Sequence, residues 1–137
     1  MGMYTELVIS TRIVDVPEVI NILKLMTARD LNIEFSAIKE LPSHPLFVSD
    51  RWRFMLMSSS YYFTPAVSTL LEYDYIGRNW SFINRSDFKN YGNEINLFLD
   101  WLDPYIDAHD GEMVGYSRYE ESVVPTIRYK GQVGLDL

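Results

Sequence analysis

The sequence has no cysteine, two histidines and only four lysines. Without cysteine there is no disulfide, no thiolate metal site and no cysteine nucleophile, and the chain suits a reducing cytosol. His44 lies in a proline-flanked loop and His109 follows an amphipathic stretch. Neither stands at metal-ligand spacing from another ligand, and no Ser-His-Asp order or nucleophile elbow is visible. Ser58, Ser59 and Ser60, beside Tyr61 and Tyr62, read as a strand end or bulge. Long apolar runs are missing too. None approaches the span of about 18 residues that crosses a bilayer, and MGMYTELVIS lacks the basic-then-apolar layout of a signal peptide. Basic charge is short: 12 Lys and Arg face 19 Asp and Glu, a net charge of -7 that would repel a nucleic-acid duplex. The expectation is a protein without cofactor or metal, and more a binder than an enzyme.

What is present is an ordinary globular balance, 47% hydrophobic and 23% charged over 137 residues, which fits one domain over 1–137. In YTELVISTRIV (4–14), Leu7, Ile9 and Ile13 alternate with Glu6, Ser10 and Arg12, the pattern of a strand with one buried face. DVPEVINILKLM follows with Val16, Val19, Ile20, Leu23 and Met26 at helical spacing, Asp15 and Glu18 forming a variant capping box. Residues 28–50 read mostly as loop. Three strands are expected over 51–58, 66–76 and 80–85, the last two joined through Gly77 and Asn79. A second helix carries Ile95, Phe98, Leu99, Leu102 and Ile106, capped by Asn90 and kinked near Pro104. Two strands close the chain over 113–120 and 125–130. The order β-α-β-β-β-α-β-β, with short strand-to-strand links, predicts an α+β fold: a mostly antiparallel sheet with both helices on one face.

The basic residues that do occur are unevenly placed. Of eight arginines, six (Arg12, Arg51, Arg53, Arg85, Arg118, Arg128) fall in predicted strands. If Trp52, Phe54 and Leu56 face the helices, then Arg51 and Arg53 stand on the other face, and the same alternation sends Arg12, Arg85 and Arg128 there with Glu6, Glu72 and Asp74. One reading is a solvated face laced by cross-strand ion pairs, each contributing roughly 0.2–1 kcal/mol. The other is an anion site. Guanidinium forks hold phosphates, and Tyr62, Tyr116 or Tyr119 stack on a base or ribose. Ten tyrosines in the chain favour the second; the absence of a glycine-rich phosphate loop leaves it unspecific.

Between Asn90 and Ser117 there are six acids and no lysine or arginine. Asp100, Asp103 and Asp107, at i, i+3 and i+7, share one outward face of the expected second helix. Such a run is ordinarily a solvated face. The alternatives are a docking surface for a basic protein and, last, a weak divalent-cation site, because one regular helix rarely encloses a cation.

YTELVIS, HPLFVSDRW, SYYF, KNYGNEINLFLDWLDPYID and GYSRYEESVVPTIRY, in that order, resemble a family of short, uncharacterised proteins encoded by phages, prophages and mobile elements. The likeness spans nearly the whole chain. It implies a context, not a chemistry: small accessory phage proteins counter host defence by inhibiting a defence protein or by sequestering a nucleotide immune signal. The leading expectation is therefore a binding protein of the host bacterial cytoplasm. It would sequester a small anionic, nucleotide-derived signal through Arg51, Arg53, Arg85, Arg118, Arg128, Tyr62, Tyr116 and Tyr119. The alternatives are an inhibitor that docks on a host defence protein through Asp100, Asp103 and Asp107, and an enzyme that degrades the signal. Any homo-oligomer would form through an exposed sheet edge.

Overall fold

The first strand is the axis of the fold. In the computed structural model, which describes residues 4–27, 41–59 and 67–132, β1 (Tyr4–Val14) pairs along its whole length with β3 (Asn79–Lys89), from Tyr4 opposite Lys89 to Val14 opposite Asn79. Its other edge pairs with β4 (Met113–Tyr119) over Thr5–Ile9. β2 (Ser68–Asp74) extends the sheet beyond β3, and β5 (Thr126–Tyr129) beyond β4. All pairings are antiparallel, in the order β2-β3-β1-β4-β5.

Period-two alternation decides which face is covered. Leu7, Ile9 and Ile13 of β1 are wholly buried, and with Phe82 they meet the apolar stripes of both helices in one core. α1 (Pro17–Thr27) supplies Val19, Ile20, Leu23 and Met26; α2 (Glu94–Leu102) supplies Ile95, Phe98, Leu99 and Leu102. Both helices therefore lie on the same face, the α+β arrangement read from the sequence. The N-cap position of α2 is Asn93, whose side chain makes no cap; Asn90, three residues earlier, supplies the bond, its Oδ1 accepting from Ile95 N–H at 3.0 Å.

Gly115 fixes the β1–β4 contact. A side chain there would place its Cβ 1.9 Å from the Val8 carbonyl oxygen, so only glycine lets the two backbones approach this closely. The β2–β3 hairpin turns over residues 75–78, with Gly77 in the turn as expected; Asn79 already belongs to β3, and the left-handed residue is Arg78, with a φ of 56°. Asp74 sets that turn by accepting from Ile76 N–H (2.9 Å) and Gly77 N–H (3.2 Å) through Oδ1.

Four expectations need correction. Residues 51–58 are not a strand: Asp50–Phe54 forms a 3-10 helix, preceded by a shorter one at Pro45–Phe47. Trp52 and Leu56, four residues apart, fit both alternation and a helical turn, but Met55, three residues from Trp52, is buried and Phe54 is 49% exposed, which contradicts alternation. Arg51 and Arg53 thus sit in the layer of the helices, not on the open face of the sheet. Second, β3 runs on to Lys89, through the polar stretch Asn84–Asp87. Third, α2 stops at Leu102, because Pro104 cannot continue it; Asp103–Tyr105 tightens into a 3-10 turn and Ile106 bridges to Ile13 of β1. Asp107 therefore does not share a helical face with Asp100 and Asp103. Fourth, Arg128 lies on the helix-covered face, where it reaches Asn96 of α2.

Candidate ligand cleft

Where β1 begins and β3 ends, the sheet meets the second 3-10 helix and leaves a cleft of about 400 Å³. Phe54, Met55 and Phe88 give it an apolar lining; Tyr4 and Ser58 add hydroxyls; Arg51 and Lys89 add positive charge. The position follows from β2 being shorter than β3. Beyond Arg85 the outer edge of β3 has no β2 partner, and the chain leaving the 3-10 helix takes that place, Ser58 O accepting from Asp87 N–H at 3.0 Å. Asn84 Nδ2 likewise donates to Leu56 O (3.1 Å), so polar β3 residues hold this segment against the sheet.

Arg51 is 43% exposed and is held from behind. Its Nε lies 3.2 Å from Glu94 Oε2 and its Nη2 lies 3.4 Å from Glu94 Oε1, a side-on fork on a carboxylate that is only 6% exposed. Nη2 also donates to the Lys89 carbonyl oxygen, and the guanidinium sits 5.6 Å from the centre of the Tyr91 ring. Nη1 makes no hydrogen bond among the described residues. The Lys89 ammonium has no carboxylate partner among them either, and lies 5.7 Å from the Tyr4 ring centre. Lys24 and Arg78 likewise form no ion pair among the described residues, but of the three only Lys89 lines this cleft.

The other arginines singled out in the sequence are elsewhere. Arg85, on the sheet face away from the helices, donates through Nε and Nη2 to Glu6 Oε2 (3.0 and 2.8 Å) and through Nη1 to Asp87 Oδ1 (2.6 Å). Arg118 approaches the same Glu6 through Nε at 3.6 Å. Arg12 pairs with Asp74 at 2.6 Å. Arg128 donates to Ser117 Oγ and Asn96 Oδ1. Arg53 lines a separate hollow of about 270 Å³ with Leu41, Phe47 and Trp52. The sheet face therefore carries cross-strand ion pairs, but those of Arg85 with Glu6 and Asp87 are buried rather than solvated, and Arg51 alone of the proposed arginines lines the cleft. Tyr116 lies across from Val8, and Tyr119 from Thr5 at the cleft's end of the sheet. Partial burial, then the charges of Glu121 and Glu120, raise the Tyr119 phenol above its ordinary pKa. Tyr62 lies outside the described residues.

The acids are occupied as well. Asp100 Oδ2 is 2.9 Å from His44 Nε2, Asp103 accepts from Gly131 N–H (2.9 Å) and lies 3.6 Å from Lys130 Nζ, and Asp107 accepts from Asn79 Nδ2 (2.9 Å). His44 Nδ1 accepts from Leu46 N–H at 3.0 Å, so both ring nitrogens are in use and the imidazole serves as a clip between loop and helix. Among the described residues no group of three His, Asp or Glu is placed to hold a metal ion, and no helix is long and apolar enough to cross a membrane.

Sequence reasoning missed Lys89, Tyr4 and Phe88 as lining residues. Lys89 lies at the end of β3, four residues beyond the strand predicted over 80–85. No protein-family profile, curated protein or solved structure matches this chain.

Proposed function

We propose that this chain is a non-enzymatic binding protein whose cleft holds a small anionic, nucleotide-like molecule. Lys89 and the Nη1 edge of Arg51 contact a phosphate group, and the apolar and aromatic lining receives a planar base. The observation that carries the reading is the Lys89 ammonium, without a carboxylate partner among the described residues, lining a 400 Å³ cleft beside a half-exposed arginine. That volume suits one small ligand, and a few polar groups over an apolar lining is the usual make-up of such sites. The resemblance to phage-encoded proteins supplies the setting: capture of a nucleotide immune signal in the cytoplasm of the host bacterium. Docking through Asp100, Asp103 and Asp107 draws no such support, since each acid already has a partner within the chain.

The reading is tested by thermal shift against cyclic dinucleotides and ADP-ribose derivatives at millimolar concentration. At least one should raise the melting temperature, Lys89→Ala and Arg51→Ala should abolish the rise, and the ligand should be recovered intact after heating. No stabilisation by any of them would overturn the proposal. Recovery of a cleaved product would replace a sponge with an enzyme.

A further inference from the structure

The contact between Arg51 and Glu94 deepens that reading and rests on it. Glu94 opens α2 but does not serve the helix alone. Its Oε1 accepts from Gly92 N–H at 3.2 Å, and its two oxygens together hold Arg51 Nε and Nη2. The packing behind it is close: a Cβ on Gly92 would lie 2.1 Å from Glu94 Oε2. The guanidinium is thus gripped by a buried carboxylate, a backbone carbonyl and the Tyr91 ring, with only Nη1 left to make a further bond. A freely rotating arginine loses side-chain entropy when it meets a ligand; one already gripped in this way does not.

We infer that Glu94 is the positioning residue of the cleft: it fixes Arg51 side-on so that the Nη1 edge meets one oxygen of the ligand's phosphate. The alternative role, plain neutralisation, has the opposite sign. If Glu94 only offset the charge of Arg51, removing its charge would tighten the binding of an anion. If it positions Arg51, removing or shifting it weakens binding. Gly92→Ala separates the two, because the added methyl displaces the carboxylate while leaving its charge in place.

The probes are ADP and the Arg51 Nε–Hε resonance. In the wild type that resonance should be resolved and shifted from the position of a mobile arginine. Glu94→Gln and Gly92→Ala should each return it toward that position, and each should weaken ADP binding roughly tenfold. In the Arg51→Ala background neither should change ADP affinity further, a coupling that a merely structural role would not produce. Should Glu94→Gln impair folding, Gly92→Ala, in an exposed turn, carries the test. Tighter ADP binding by Glu94→Gln, equal losses with and without Arg51, or an unmoved Nε resonance would each overturn the inference. Absence of ADP binding by the wild type, with the resonance behaving as expected, would overturn the anion-site reading and the inference's claim on phosphate with it.

Discussion

Arg85 and Glu6 meet across β3 and β1 as a two-contact ion pair, 3.0 Å from Nε and 2.8 Å from Nη2, with each side chain only 8% exposed. The third arm of the same guanidinium serves Asp87, directly opposite Glu6 in the register and wholly buried. This cation therefore bridges two carboxylates that would otherwise face each other in a desolvated space, with Arg118 3.6 Å from Glu6 as a second, more distant cation. Arg85→Met leaves both acids without it and should cost about 3–5 kcal/mol in urea unfolding. A loss below about 1 kcal/mol would show that the pair is solvated.

Gly115→Ala is expected to be poorly tolerated despite adding one methyl group. The methyl would meet the backbone of Val8, which cannot rotate away as a side chain can. A loss of about 3 kcal/mol is expected, read as a lowered urea midpoint with an unchanged slope. Wild-type stability in this variant would mean that β1 and β4 are further apart than described.

Asp74 gives a pH dependence with a definite sign. Hydrogen bonds from Gly77 N–H, then the Arg12 side chain and Ile76 N–H, hold its pKa below the ordinary aspartate value of about 3.9. A depressed folded-state pKa stabilises the fold fully above the unfolded value, and that contribution is lost as pH falls through the folded one. Carbon-13 titration should place the Asp74 midpoint below about 3.9, and Arg12→Ala should move it upward. A midpoint unaffected by Arg12→Ala would contradict the pairing.

For His44 the prediction concerns a tautomer. With Nδ1 accepting from Leu46 N–H, the neutral ring must carry its proton on Nε2, toward Asp100. Long-range nitrogen-15 correlation reads this directly. A predominant Nδ1–H form would refute the clip between loop and helix.

The strands and helices that could be read from the sequence are those whose apolar residues keep a single period. Leu7, Ile9 and Ile13 keep a two-residue period interrupted only at Thr11, and Ile95, Phe98, Leu99 and Leu102 recur helically, so the antiparallel sheet and the covered face follow. The stretch 51–58 misled because Trp52 and Leu56, four residues apart, fit both alternation and a helical turn; burial of Met55 decides it, and no local rule foretells that. The strand predicted over 80–85 stops short of 86–89 for the opposite reason. A strand with polar residues buried on both faces has the composition of a loop, and only its partners, Glu6 and the chain at Leu56–Ser58, make it affordable. The cleft inherits both blind spots, since Arg51 comes from the first segment and Lys89 from the end of the second.

The most direct test of the cleft is an amide chemical-shift map of the nitrogen-15-labelled protein titrated with ADP-ribose. The account predicts saturable shifts concentrated at Tyr4, Arg51, Ser58 and Lys89, absent in Lys89→Ala. Shifts centred on Arg85 and Arg118, or none at millimolar ligand, would contradict it.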